Sequence, residues 1–431
     1  MLKVVKGEPA VLRRTIDDLK SRIGMASPEV EASVRNILEK VRQEGDQAVR
    51  EFSVKFDGWA PERLEVTREE MEQARVACDP ALLDSMEKAA ENIRTFHRRQ
   101  VQQSRIDPQP GGVITGQRVR ALHRVGLYVP GGTAPLFSSV LMNAIPAKVA
   151  GVKEIVMATP PGMDGKPNPA ILAAALIAGV DRVFLMGGAQ AIGAMAFGTQ
   201  SVPKVDKIVG PGNIFVATAK KQVYGVVDID MIAGPSEILV LADDSADPDY
   251  LAADLMSQAE HDRMASSILL TTSEKLAEET VSSLYRQVEK LSRKAIIEES
   301  LDRFGAVIVC DDMDQAVDFA NELAPEHLEV CCRDPFSYLG RLDNAGSVFL
   351  GNYAPEPLGD YFAGANHVLP TGGTARFFSP LSVDDFIKKS SFIYYPKDEL
   401  LDAADHIIRL AENEQLTAHA NSIKVRKEKE G

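Results

Sequence analysis

Four of the seven histidines in this sequence stand beside other groups that bind metals or transfer protons. Gln258 and His261 are three residues apart in a predicted helix over 251–264, so both side chains are expected on one helical face. Polar groups at the margin of a buried stripe need partners. A metal ion would satisfy both side chains, but a hydrogen bond within the core would do so too, and Gln-x-x-His alone favours the hydrogen bond.

Glu326 and His327 place a carboxylate beside an imidazole at the end of a predicted helix. Histidine titrates near neutrality and burial raises the pKa of glutamate, so the pair could transfer protons. Solvated charges at a helix C-terminus are the alternative, and these residues in isolation favour it.

The stretch 357–367 carries Asp360 and His367 among glycines and is predicted to be a loop. Such loops position chemistry more often than they pack cores. His419 lies in a polar helical stretch, five residues after Glu414. Gln, His, Asp and His are compatible with zinc, which accepts nitrogen and oxygen ligands. They are spread over about 160 residues, so spacing alone does not show that they converge.

Two glycine-containing loops, 187–193 and 210–213, each follow a predicted strand and lead into a helix. Backbone N–H groups at such positions bind phosphates. Neither loop matches G-x-G-x-x-G, and no acidic ribose-binding residue stands at the expected distance. From the residues alone, NAD binding is suggested and not established.

The four cysteines show neither metal-type spacing nor a disulfide framework,. Cys331 or Cys332 could act as a nucleophile in aldehyde oxidation, but no base stands near them in the sequence. Packed thiols are the favoured interpretation.

The elements that must position these groups follow a βαβ pattern. Helical periodicity prevails to about residue 105. Strands are then predicted in two series, at 154–159, 181–186 and 207–209, and at 238–242, 267–271, 306–309 and 347–350. Helices are predicted between them and again beyond residue 383. This pattern predicts two parallel α/β sheets in tandem, with a junction at 234–236.

The 431 residues carry a formal net charge of -14 and no basic stripe, which argues against a nucleic-acid partner,. The longest apolar run, 171–180, is far shorter than the roughly 20 residues that span a bilayer. The first ten residues have no apolar core or cleavage site typical of a signal peptide. A cytoplasmic enzyme with no membrane partner is therefore expected.

Taken together, the motifs resemble those of the histidinol dehydrogenase family from about residue 30 onward. The matching blocks, in order, are 125–132, 187–192, 210–213, 232–237, 258–261, 324–327, 359–361 and 366–370. Residues 1–25 match weakly. Near the C-terminus, Gln415 stands where the family usually has glycine.

The resemblance implies an α/β fold with two tandem Rossmann-like (incomplete doubly wound) domains and helical extensions at both ends. It implies an N-terminal helical extension at 1–25 and a first α/β domain formed by 26–127 and 238–382. A second domain at 128–237 would contact NAD. The extension at 383–431 would complete the partner subunit's site in a homodimer.

Site residues are also implied by the resemblance. The zinc ligands would be Gln258, His261, Asp360 and His419, and the acid/base pair would be Glu326 and His327. Substrate contacts would come from the zinc ligands and from Ser236, His327, His367 and Glu414. The residues that contact NAD would be Tyr128, Gln190 and Asn213.

The implied reaction is the four-electron oxidation of L-histidinol to L-histidine through the aldehyde, in histidine biosynthesis, with one Zn²⁺ per subunit and two NAD. His327 would take the hydroxyl proton and Glu326 would activate water. The alternatives are a related dehydrogenase acting on another small alcohol, a zinc hydrolase with Glu326 as base, and a structural zinc protein. The sequence has no H-E-x-x-H motif for the hydrolase and no cysteine cluster for structural zinc.

Overall fold

The computed structural model describes residues 2–20, 27–59, 62–131, 135–162 and 165–430. Its helices are α1 (Pro9–Lys20), α2 (Pro28–Glu44), α3 (Asp46–Asp57), α4 (Arg68–Ala77), α5 (Pro80–Arg98), α6 (Phe137–Ala150), α7 (Pro169–Ala178), α8 (Gly188–Phe197), α9 (Ile214–Val223), α10 (Pro248–Ala259), α11 (Glu274–Val288), α12 (Lys294–Phe304), α13 (Met313–Leu323), α14 (Phe336–Leu339), α15 (Glu356–Tyr361), α16 (Lys397–Asn413) and α17 (Thr417–Glu430).

The strands of the described chain form three sheets. They are β1 (Lys3–Val5), β2 (Glu65–Val66), β3 (Arg105–Pro108), β4 (Ile114–Ala121), β5 (Arg124–Tyr128), β6 (Glu154–Thr159), β7 (Arg182–Leu185), β8 (Lys207–Val209), β9 (Asp228–Ile229), β10 (Glu237–Ala242), β11 (Ser266–Thr271), β12 (Gly305–Val309), β13 (His327–Cys331), β14 (Ser347–Leu350) and β15 (Ile387–Tyr394).

Sheet 1 has the order β2-β7-β6-β5-β8-β9, and only its edge strand β2 is antiparallel among the described pairs. Its strands are apolar and buried on both faces because α6 and α7 cover one side and α8 and α9 the other,. Counted from β5, the order is 3-2-1-4-5, which is that of the first five strands in a doubly wound sheet. In such sheets the crevice for a ligand opens at the carboxyl ends of the first and fourth strands, here β5 and β8.

Sheet 2 has the order β1-β12-β11-β10-β13-β14, with every described pair parallel. Counted from β10 it repeats the order 3-2-1-4-5. The two series of strands predicted from the sequence are confirmed, each to within one residue at either end. The mixed α/β fold with parallel sheets is therefore confirmed.

The chain divides into two compact units. The first comprises residues 1–100 and 122–386 and contains sheets 1 and 2. The second comprises 101–121 and 387–431, with the antiparallel sheet β15-β4-β3 and the packed helices α16 and α17. The predicted terminal extensions include strands as well as helices, namely β1 and β15. The domain bounds predicted from the sequence differ from those of the two units and stay a prediction.

Helices α2 to α5, which precede β5 in the chain, pack against the helices that cover sheet 1. Val34, Ile37, Leu38 and Val41 of α2 lie in the same core as α8 and α9. No described helix is long and apolar enough to cross a bilayer.

Candidate active site

Gln258 and His261 come from the C-terminal end of α10 and the turn that follows it. The helix ends at Ala259, five residues earlier than predicted, because the Asp262 carboxylate accepts the N–H of Met264 (2.8 Å) and folds the chain into a turn,. The backbone N–H of His261 still donates to the carbonyl of Gln258 (3.1 Å). The predicted helix end is therefore wrong, and His261 lies in the turn that follows the helix.

Gln258 is fully buried, yet neither amide atom has a hydrogen-bond partner among the described residues. A buried polar atom without a partner costs about 1–3 kcal/mol, so this amide indicates a site for a ligand. The surrounding protein desolvates the ring of His261 and lowers its pKa, even though part of the residue reaches solvent. Low pKa favours neutral imidazole, the form that binds metals.

Glu326 and His327 connect α13 to sheet 2. Ala324 ends the helix in a left-handed conformation (φ 50°) and Pro325 follows, so His327 becomes the first residue of β13,. Both side chains are buried, at 6% and 3% exposure. The interpretation as solvated charges at a helix end is therefore wrong.

Both members of the pair bind the backbone of Glu237, the first residue of β10. The Glu326 carboxylate accepts its N–H (2.9 Å) and the Nδ1 of His327 donates to its carbonyl (3.0 Å). This hydrogen bond assigns the proton of neutral His327 to Nδ1 and leaves Nε2, which has no described partner, as the acceptor,. Burial raises the pKa of Glu326 to about 7. Glu326 therefore titrates near neutral pH, and His327 offers a second proton acceptor when its ring is neutral,.

Helix α15 supplies the third side of the site, where a loop was predicted. Asp360 lies 3.8 Å from His327 Nε2 and 3.8 Å from His367 Nδ1. His367 also donates from Nδ1 to the carbonyl of Asp360 (3.0 Å). Although burial opposes it, interaction with His327 and His367 lowers the pKa of Asp360 to about 2, so this carboxylate is charged.

The sequence motifs did not point to Glu356. It precedes Asp360 by four residues on α15, so both face the same side. Its Oε1 lies 4.0 Å from His327 Nε2 and has no hydrogen-bond partner in the described chain. The ligand atoms of His261, Glu356 and Asp360 all lie within 4.8 Å of one another. The i, i+4 spacing of the two acids was the signal available in the sequence.

This arrangement fits a divalent cation. Although desolvation opposes it, the carboxylates of Glu326, Asp360 and Glu356 raise the pKa of His327 to about 10, so without a cation the ring holds a second proton. A cation beside Asp360 and Glu356 would offset their charge. Imidazole, amide and carboxylate donors are a set that zinc accepts. Gln258 would supply the amide oxygen.

The remaining predicted site residues are placed as follows. Ser236 is half-buried directly before β10, and its carbonyl accepts the N–H of Ser266 (3.0 Å). A cavity of about 290 Å³ opens beside His327 and is lined by Asp360, His367 and apolar side chains of β14 and α15. Glu414 and His419 belong to the second unit, where both are exposed.

Tyr128, Gln190 and Asn213 stand at the carboxyl ends of sheet 1. The Tyr128 hydroxyl accepts the N–H of Gly188 at the start of α8 (3.1 Å). Gln190, at 1% exposure, has no described partner for either amide atom. Asn213 caps α9 through Oδ1, which leaves its amide N–H₂ for another acceptor,. These three residues occupy the end of a doubly wound sheet where nucleotides bind.

A buried ion pair holds the loop that carries Asn213. Lys220 and Asp230 contact each other with side chains 3% and 1% exposed. Lys220 donates to the carbonyl of Gly210 (2.9 Å), and Asp230 accepts the N–H of the same residue (2.8 Å). Gly210 has φ 118°, and a Cβ there would lie 2.1 Å from the carbonyl oxygen of Tyr128. Both peptide groups of this glycine are thus tied to charged side chains.

The Lys220→Met substitution is expected to lower the free energy of unfolding by about 3–5 kcal/mol, because it leaves the charge of Asp230 buried without its partner. Denaturant unfolding measures the change. The neighbouring Lys221 pairs with Glu31 at the surface (3.3 Å), so Lys221→Met is the matched control and should change stability by less than about 1 kcal/mol. Equal effects of the two substitutions would contradict the assignment.

Cys331 and Cys332 are buried, and burial raises the pKa of the Cys332 thiol to about 12 and that of Cys331 further. A thiol with so high a pKa is a poor nucleophile at neutral pH. The structure therefore supports the interpretation as packed thiols.

A model of the histidinol dehydrogenase family matches residues 20–427. Histidinol dehydrogenase of Clostridium acetobutylicum is 56% identical over 408 residues, 95% of each chain. The Listeria monocytogenes enzyme of the same name is 53% identical over 425 residues, 97% of this chain and 99% of its own. The crystal structure of histidinol dehydrogenase from Elizabethkingia anophelis superposes with a TM-score of 0.93 at 39% identity, covering 99% of this chain and 98% of that one.

These comparisons agree with the ordered motifs of the sequence. They confirm the resemblance inferred from the sequence. This chain belongs to the histidinol dehydrogenase family.

Proposed function

We propose that this chain oxidises L-histidinol to L-histidine through L-histidinal, with NAD as oxidant, in the last steps of histidine biosynthesis. Membership of the family supports histidinol as the substrate, and one structural observation supports the proton transfers. Glu326 and His327 are buried side by side, both anchored on the backbone of Glu237, with His327 Nε2 free of described partners. Two such acceptors in the same place can serve two successive oxidations at one carbon.

Gln258, His261, Asp360 and His419 would hold one zinc ion. Bound there, zinc would orient the substrate through its amine and imidazole and polarise it as a Lewis acid. Glu356, which the structure adds to the cluster, accepts a hydrogen bond from Ser257 Oγ with its second oxygen (3.1 Å). Burial raises its pKa to about 8, so a bound cation would be needed to ionise it at neutral pH,. Ser236, His367 and Glu414 would complete the binding of the substrate.

In the first oxidation His327 Nε2 accepts the hydroxyl proton of histidinol while its Nδ1 stays bonded to the Glu237 carbonyl. In the second, Glu326 takes a proton from the water that adds to the aldehyde, and His327 returns its proton to the aldehyde oxygen. His327 Nε2 then accepts a hydroxyl proton of the hydrate as the second hydride leaves. Tyr128, Gln190 and Asn213 would hold NAD, which would supply the hydride acceptor for each oxidation.

The second unit carries Glu414 and His419 on exposed positions. In a homodimer these two residues would complete the site of the partner subunit. The substrate is a small polar molecule and the net charge is -14, which together support a cytoplasmic enzyme without nucleic-acid or membrane partners.

The test is NADH release from purified protein with zinc, NAD and L-histidinol. Two NADH per histidinol, with no free aldehyde accumulating, is the expected result. Turnover of other small alcohols but not histidinol would favour the related dehydrogenase. Substrate hydrolysis in the absence of NAD would favour the zinc hydrolase. Either outcome would overturn the proposal.

A further inference from the structure

The Asp57 carboxylate lies at the carboxyl end of sheet 1, although α3, which carries it, is far from β6 and α8 in the sequence. A Cβ built on Gly187 would lie 3.5 Å from both carboxylate oxygens of Asp57 and 2.9 Å from Cβ of Pro160. Pro160 directly follows β6, and Gly187 precedes α8. The carboxylate therefore stands at the rim of the crevice that holds Tyr128 and Gln190.

The position is unfavourable for helix stability. Asp57 is the last residue of α3, where the helix dipole disfavours a negative charge,. No hydrogen bond or ion pair from another described residue compensates it. Partial burial raises its pKa, and its charge in turn contributes to the raised pKa of Tyr128. An unpaired carboxylate at a helix C-terminus, beside the crevice of sheet 1, therefore indicates a site for a ligand.

The sequence lacks an acidic residue at the end of β6, where doubly wound sheets usually hold the carboxylate that binds ribose. Asp57 reaches the same end of the sheet from another element. Gln190, in the first turn of α8, is buried and neither of its amide atoms has a described partner, which independently indicates a polar ligand. Gly187 has no side chain, so the approach between the backbone and the carboxylate stays open.

We propose that the Asp57 carboxylate accepts hydrogen bonds from ribose hydroxyls of the dinucleotide. The inference rests on the proposed function, since it presumes that NAD occupies this crevice. A carboxylate with two free oxygens matches a vicinal diol, in which both hydroxyls donate. Asp57 is then a specificity-determining residue supplied by the N-terminal helices.

Asp57→Asn tests the proposal without removing the side chain. We expect the Kd for NADH and the KM for NAD to rise about tenfold, the loss of one or two charge-assisted hydrogen bonds. The effect should fall on KM for NAD more than on kcat, with KM for histidinol little changed. Because the substitution removes a charge from a helix C-terminus, Tm should stay equal or rise.

Trp59 provides a binding signal that does not depend on turnover. It is the one tryptophan in the sequence and lies two residues from Asp57, packed on Gly165. Quenching of its emission by NADH, with ADP-ribose as competitor, gives Kd directly. Glu69→Gln, the same change at an exposed position of α4, is the matched control and should leave both constants unchanged.

The outcomes separate the two proposals. If wild-type protein oxidises histidinol with NAD but Asp57→Asn and Asp57→Ala change Kd and KM by less than twofold, the role of Asp57 is refuted and the function stands. If wild-type protein neither binds NADH nor turns over histidinol, the proposed function fails, and this inference fails with it.

Discussion

The His261→Asn variant is expected to lose its zinc and at least a hundredfold of its histidinol turnover. Asparagine is shorter than histidine and offers an amide in place of the imidazole nitrogen. Its oxygen would not reach the point where the ligand atoms of His261, Glu356 and Asp360 converge within 4.8 Å. Metal content measured by mass spectrometry after dialysis, together with NADH release, checks the result. His123→Asn, at an exposed position of the same unit, is the control.

His419→Asn should have the same effect, although His419 belongs to the second unit. Coexpression of the two variants tests the shared site. In a mixed dimer one site receives both substitutions and the other receives neither, so random pairing should restore about a quarter of wild-type activity. No restoration would contradict the exchange between subunits. Full zinc content and turnover in both single variants would contradict the ligand assignment.

The Glu326→Gln variant is expected to stop at the aldehyde. Glutamine preserves the size of the side chain but does not accept a proton from water, so oxidation of L-histidinal should fall by about a hundredfold or more. Oxidation of histidinol to the aldehyde depends on His327 and should be reduced far less. Single-turnover NADH bursts with each substrate separate the two steps. Equal losses in both steps would show that Glu326 acts on binding and not on water.

The pH dependence of aldehyde oxidation follows from the same residue. Burial raises the pKa of Glu326 to about 7, and only the ionised form accepts a proton. The rate should therefore rise with pH through an inflection near 7, and the inflection should be absent in Glu326→Gln. The raised pKa of Glu326 has the opposite effect on the stability of the folded protein, which decreases as the pH rises. The folded state holds this proton more tightly than the unfolded state, so the associated stabilisation is lost as pH rises through about 7.

The secondary structure and the family followed from local patterns. Alternation of apolar strands and alanine-rich helices predicted both parallel sheets, because strands of this kind must be covered on two faces. The predictions were wrong for one short segment and for the end of one helix. The segment around Asp360 forms a short helix where glycines suggested a loop, and α10 stops before His261 because the Asp262 turn competes with the helix.

Some features of the site could not be predicted from any local sequence pattern. Gln258 and His327 looked like an ordinary core amide and a surface histidine, since burial and pairing depend on which strands are neighbours. Asp254 and Glu329 form a buried carboxyl pair behind the site, with the pKa of Asp254 raised to about 6 by burial, and neither residue stood out in the sequence.

By itself, the sequence determined the α/β class, the order of the strands along the chain and the family, because these depend on periodicity and on motifs contiguous in the chain. Tertiary structure alone decided that β10 and β13 are neighbours, which places Glu326 and His327 on the backbone of Glu237. It also brought Glu356 to the ligand cluster and Asp57 to the crevice of sheet 1. Desolvation and convergence are properties of packed neighbours, and no spacing along a chain encodes them directly.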